Sequence, residues 1–123
     1  MNRLGDLERK VMDVLWDSLG TPLTGRQVAD HLPDRAYTTV LTILERLRRK
    51  RLVDRIVEGK IHRFGATDSK ESYMAKLMVA AMGDSSDHSA VLVRFANSVT
   101  ATEAVVLRQA LDDLKSDRES EPS

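Results

Sequence analysis

The chain has no cysteine among its 123 residues, so disulfides, thiolate zinc sites and cysteine nucleophiles are excluded. It also lacks any apolar run near the roughly 20 residues that a membrane-spanning helix needs. The first segment has no signal-peptide core, because Asp6, Glu8, Arg9 and Lys10 interrupt it. These absences fit a cytoplasmic protein with no direct membrane binding. Catalytic signatures are missing as well: there is no GxSxG, HExxH, phosphate loop or dinucleotide fingerprint. His31, His62 and His88 lie on three different predicted elements without ligand-like spacing, so no metal site is expected. Asp112 and Asp113, near a predicted helix end, read as solvated surface. The sequence therefore predicts neither an enzyme nor a bound cofactor, and it contains no internal repeat.

Formal net charge is also absent, yet the charges present are unevenly spread. Residues 1–66 carry 13 Lys/Arg against 9 Asp/Glu, whereas residues 67–123 carry 6 against 10. A basic half and an acidic half in one neutral chain imply a polyanion partner for the first and a different task for the second. Hydrophobic content of 41% is ordinary for a folded chain of one domain, or of two small ones sharing a core.

Apolar periodicity predicts a first helix over 6–19, with Leu7, Val11, Val14 and Leu15 on one face and Trp16 widening it. Gly20, Thr21 and Pro22 stop it. Thr24 followed by Gln27 reads as a capping box opening a short second helix over 25–32, which Pro33 ends. Asp34 is placed to cap a third helix over 35–50. Two strands, 52–57 and 61–66, flank Gly59 in a tight hairpin. Three helices and a hairpin in this order are the layout of a winged helix-turn-helix.

The third helix carries the chemistry. Val40, Ile43, Leu44 and Leu47 stand at i, i+3, i+4 and i+7, a stripe facing the core. Advancing about 100° per residue puts Thr38, Thr42, Glu45 and Arg49 on the opposite side, with Thr39 and Arg46 at its edge. Short hydroxyls can approach base edges or a thymine methyl, and arginines can meet phosphates or guanine edges. Lys60 and Arg63 on the hairpin, and Arg26 and Gln27 at the start of the second helix, are placed for the flanking backbone. The plain alternative is that Arg48 to Arg51 only complement a helix end. Four adjacent cations exceed that need and repel one another unless an anion is near.

Beyond Ala66 the chain is predicted helical. Asp68 with Glu71 and Thr100 with Glu103 read as capping boxes for helices over 69–82 and 101–114, with a third over 86–98 between them. Tyr73, Met74, Leu77, Met78, Val79 and Met82 cover most of one helix circumference, so that helix must be buried. About 50 residues seldom build an independent core, which points to a second copy of the same chain. Expected boundaries are a winged-helix unit over 1–67, a helical dimerisation unit over 68–115 and a frayed tail over 116–123. The dimerising residues expected are Tyr73, Met74, Leu77, Met78, Leu92, Phe95, Val99, Leu107 and Leu111.

"AYTTVLTILERLRRKRLVDR", preceded by an apolar helix with Trp16 and followed by a Gly-turn hairpin, resembles the BlaI/MecI family of penicillinase repressors. The resemblance covers nearly the whole chain and is strongest over 5–66. It implies a homodimer that binds an inverted-repeat operator in double-stranded DNA and represses β-lactamase and sensor genes. It also implies induction by proteolysis in the dimerisation region, through a protease linked to a membrane β-lactam sensor. Matched residue by residue, its DNA-facing set is Tyr37, Thr38, Thr39, Thr42, Arg46 and Arg49 with the hairpin. The family's cleaved bond is Asn-Phe, and the matching segment "VLVRFANSV" offers Arg94-Phe95, so the residue before the cut differs. Phe95 also reads as core beside Val91, Leu92 and Val99. Two other functions suit the same elements: a regulator sensing a small molecule near Met74, Met78 and Met82, and a winged helix that binds only protein.

Overall fold

The computed structural model describes residues 4–120. It separates into a compact unit ending at Ala80 and a second beginning at Ala81. The first unit contains α1 (Asp6–Asp17), β1 (Leu23–Thr24), α2 (Gly25–Asp30), α3 (Tyr37–Arg49), β2 (Val53–Glu58) and β3 (Ile61–Ala66), and it runs into α4 (Lys70–Met82). The three strands form an antiparallel sheet in the order β1-β3-β2. This is a winged helix.

The core follows the apolar stripes. Val40, Ile43, Leu44 and Leu47 of α3 are all buried, against Val11, Met12, Leu15 and Trp16 of α1, Val28 of α2, and Val53 and Phe64 of the sheet. Burying such a side chain contributes roughly 1.5–3 kcal/mol, so this set carries most of the unit's stability. Tyr73 joins it from α4, its ring 5.3 Å from that of Trp16. For that reason the first compact unit extends past residue 67 into α4.

Several element ends differ from expectation for local reasons. The first helix stops at Asp17 rather than Leu19, where the Ser18 hydroxyl donates to the Val14 carbonyl and a tight turn leads to Gly20 at φ +88°. The second stops at Asp30. Asp34 does not cap α3: residues 32–35 close a turn through Arg35 N–H to Leu32 C=O, and the helix starts after Ala36 without a side-chain cap. The Asp68–Glu71 box gives way to Ser69, whose hydroxyl accepts from Ser72 N–H at 3.1 Å, while Asp68 accepts from Ser69 N–H and the Ser72 hydroxyl. The boxes at Thr24–Gln27 and Thr100–Glu103 form as expected.

β1 was not expected. Its two residues pair Leu23 with Phe64 and Thr24 with Arg63. In the hairpin Glu58 faces Ile61 across the two residues Gly59 and Lys60, and positive φ falls on Gly59 alone, at 63°. A two-residue turn with positive φ only at its first position is the II′ type, which suits the twist of the strands.

The second unit holds α5 (His88–Ser98), which Asp87 caps by accepting from Ala90 N–H, and α6 (Ala101–Ser120). α6 continues to Ser120, into the stretch expected to be a frayed tail; residues 121–123 lie outside the described residues. No breaker follows Leu114 before Pro122, and Arg118 stands in the last turn, where a cation suits the helix end. Of the residues described in α5 and α6, none is buried.

Candidate nucleic-acid interface

α3 presents one exposed face built as the helical periodicity predicts. Thr38, Thr39, Thr42, Arg46 and Arg49 are exposed, and Leu41, Thr42, Glu45, Arg46 and Arg49 line an open hollow of about 350 Å³. The Thr42 hydroxyl donates to the Thr38 carbonyl at 2.9 Å. Its only proton is therefore spent on the helix, and its oxygen keeps acceptor capacity but no donor for an outside group.

The basic run at the end of α3 divides between structure and surface. Arg48 is bound to Glu45 by two bonds, 2.6 and 3.1 Å, and this guanidinium holds the Glu45 carboxyl below its ordinary range. Lys50 donates to Glu8 on α1 at 2.7 Å. Burial opposes ionisation of Glu8, but the Lys50 ammonium, the Gly5 N–H and the field of Arg46 outweigh it and lower its pKa. Arg46, Arg49 and Arg51 form no ion pair among the described residues. Arg46 and Arg49 are thus the cations of this face that stay available to an outside anion.

Flanking groups gather at both ends. The Arg26 guanidinium stacks on the half-buried Tyr37 ring, 4.1 Å from its centroid, an arrangement that fixes a cation beside the start of α3. Gly25 lets the start of α2 lie close against α3: a Cβ there would lie 2.7 Å from Leu41 Cδ2. Gln27 spends its side-chain carbonyl on Thr24 N–H, which leaves its amide N–H groups outward. Lys60 sits exposed at the hairpin tip. Arg63 is half-buried and lies 3.8 Å from Glu58, a loose pair that a phosphate could replace.

The expected dimerising residues fall into two groups. Tyr73 is spent inside the first unit, and Leu77 and Val99 are half-buried. Met74, Met78, Leu92, Phe95, Leu107 and Leu111 are exposed, Met78, Leu92 and Leu111 by more than half. The Arg94–Phe95 bond lies inside α5. Among the described residues no group of three or more His, Asp or Glu could hold a metal ion, and no helix is long and apolar enough to cross a membrane.

Two features escaped the sequence reading. Glu8 had a local signal, a glutamate three residues after the Gly5 helix start, but Lys50 lies 42 positions away. Arg51 takes a left-handed backbone, φ 64°, at a position where glycine is usual, and nothing in its neighbours announced it.

A penicillinase repressor family profile matches residues 4–113. The chain belongs to the penicillinase repressor family. It is 44% identical over 128 residues to the transcriptional regulator BlaI of Mycobacterium tuberculosis, in strains H37Rv and CDC 1551, across 99% of this chain and 92% of that protein. Relatives at this level are transcriptional regulators, and this chain is a transcriptional repressor rather than an enzyme. In fold it resembles a MarR family protein from Bacillus stearothermophilus, with TM-score 0.50 and 16% identity over 97% of this chain and 78% of that one. It also resembles a point mutant of S. aureus MepR bound to an oligodeoxyribonucleotide, with TM-score 0.51 and 18% identity over 93% of this chain and 79% of that one.

Proposed function

We propose that two copies of this penicillinase repressor bind an inverted-repeat operator, each laying α3 in the major groove, and so block transcription of β-lactamase and β-lactam-response genes. The observation that carries this reading is the exposed face of α3, where Arg46 and Arg49 form no ion pair among the described residues and three threonines precede them. Exposed arginines without a direct ion pair keep their guanidinium donors available to a phosphate. Arg26 on Tyr37, Lys60 and Arg63 flank that face as backbone contacts. The two reading helices of the dimer would sit about one helical turn, roughly 34 Å, apart on one side of the duplex.

The exposed apolar side chains of α5 and α6 support the dimer. Helices without a buried residue leave Leu92, Leu107 and Leu111 in water unless another copy covers them. Derepression then follows from a cut at Arg94–Phe95 by a protease linked to a membrane β-lactam sensor. A protease needs extended backbone, and α5 buries no residue within the single chain, so its local opening costs chiefly the contacts it makes with the other copy. The cut would separate the two half-site contacts and lose their mutual reinforcement. Action on operator DNA implies a cytoplasmic protein.

Fluorescence anisotropy against an inverted-repeat duplex from the gene's own upstream region, with a scrambled duplex as control and a salt series, tests this reading. The expected result is tight, salt-sensitive binding that prefers the repeat. Arg46→Ala should weaken it and lower the salt slope by about one unit while the dimer persists. Equal, weak binding to both duplexes would overturn the proposal.

A further inference from the structure

Glu45 is the only acidic residue of α3, and it stands on the outward face. At about 100° per residue it falls within about 60° of Thr38, Thr42 and Arg49, opposite the buried stripe. It also lines the open hollow with Leu41, Thr42, Arg46 and Arg49. A carboxylate here is unfavourable toward DNA phosphates, so its presence on a DNA-facing surface calls for a donor.

Arg48 supplies part of that need and holds the group in place. Its Nη2 donates to Oε1 at 2.6 Å and its Nε to Oε2 at 3.1 Å. These bonds, with the fields of Arg48, Arg55 and Arg49, lower the Glu45 pKa, so at neutral pH the carboxylate is ionised and can only accept. A carboxylate has about four lone-pair sites, and Arg48 takes two of them. No other hydrogen bond reaches Glu45 among the described residues, and its side chain keeps 35% of its exposure. An oriented acceptor with spare capacity therefore faces outward before any ligand arrives, which lowers the entropy cost of a further bond.

We propose that Glu45 is a specificity-determining residue that accepts a hydrogen bond from the amino group of a cytosine, a role that rests on α3 being the major-groove helix. The choice of base follows from what each edge presents. Guanine shows two acceptors and thymine an acceptor and a methyl, so either would set an acceptor against the carboxylate. Adenine's amino donor sits beside the N7 acceptor, whereas cytosine presents its amino donor alone. Cytosine is thus the base that an ionised carboxylate satisfies without meeting an acceptor. The guanine paired with it offers two acceptors, and Arg49, one turn further along the same face, has donors for such an edge. Glu45 therefore acts against wrong sequences as much as for the right one.

A base-pair scan tests this role. Each pair in one half of the inverted-repeat duplex is replaced in turn, and anisotropy at one salt concentration gives the affinities of the full-length parent, Glu45→Ala and Glu45→Gln. In the parent, replacing one cytosine by thymine should cost at least about tenfold. In Glu45→Ala that cost should shrink to within about twofold, while the costs at other positions persist. Release of Arg48 raises affinity for every duplex alike and misfolding lowers it for every duplex alike, so neither gives a loss confined to one position. Glu45→Gln, whose amide also donates, should accept adenine at that position better than the parent does. A parent scan without such a cytosine, matching scans for the parent and Glu45→Ala, or an even loss of discrimination at all positions would overturn this role alone. Equal, weak binding of the parent to the repeat and to a scrambled duplex would overturn the operator reading and this role with it.

Discussion

The Lys50 ammonium lies 2.7 Å from the Glu8 carboxylate, and the other oxygen of Glu8 accepts from Gly5 N–H at 3.1 Å. One side chain therefore caps the start of α1 and holds the end of α3. The Glu8 side chain keeps only a tenth of its exposure, while that of Lys50 keeps a third. This places the pair between a surface ion pair and a buried one. Lys50→Met should cost about 1 kcal/mol of stability, read as a lower midpoint in urea. Operator affinity should change little, since this cation already has its anion.

The same pair sets an acid limit. Glu8 is lowered from the ordinary value of 4.5, so its folded form binds a proton less readily than the unfolded chain does. Its contribution is complete above pH 4.5 and is lost as the pH falls through the lower folded value. Denaturation midpoints recorded from neutral pH downward should fall in that acid window. Glu8→Gln should start lower and fall less steeply, and parallel curves for the two proteins would refute the assignment.

Arg51 gives a prediction of opposite sign. A left-handed arginine at φ 64° carries a backbone penalty that glycine avoids, partly offset by the greater freedom of glycine in the unfolded chain. Arg51→Gly should raise stability by about 0.5–1 kcal/mol, and Arg51→Ala, which keeps the Cβ, should not. Urea unfolding of the two variants side by side separates backbone strain from loss of the charge.

These effects mark where sequence legibility ended. The buried stripe of α3 and the opposite face with Thr38, Thr42, Arg46 and Arg49 were readable because both depend only on the helix period. The boxes at Thr24 and Thr100 were readable because both partners lie within one turn. β1 was not, because two residues after Pro22 become a strand only through Phe64 and Arg63, some forty positions later. Nor could the sequence divide the basic run. Whether Lys50 is free or bound depends on Glu8, which only the packing of α1 on α3 brings near. Tyr73 looked like dimer surface for the same reason: its burial depends on where Trp16 lies.

The exposed apolar residues of the second unit yield a prediction that leaves the first intact. Leu111 is 57% exposed, so a carboxylate there disturbs no packing within the single chain. Leu111→Glu should weaken self-association by at least about tenfold, as expected when a charge enters the apolar centre of an interface. Sedimentation equilibrium measures this directly. The thermal midpoint of the winged-helix unit should hold, and an unchanged dimer would move the interface away from this part of α6.

Thr42 offers the sharpest test of the reading face. Its hydroxyl proton is committed to the Thr38 carbonyl at 2.9 Å, so toward a duplex it offers a methyl group and an acceptor but no donor. A thymine methyl is the natural partner for the first. Thr42→Val keeps the methyl and removes the hydroxyl, and it should leave operator affinity within about threefold of the parent. Thr42→Ser keeps the hydroxyl and removes the methyl. It should weaken binding about fourfold, the worth of one buried methyl at about 0.8 kcal/mol. The reverse order would mean that the hydroxyl leaves Thr38 on binding and donates to a base edge, so that Thr42 reads a hydrogen-bond acceptor rather than a methyl group.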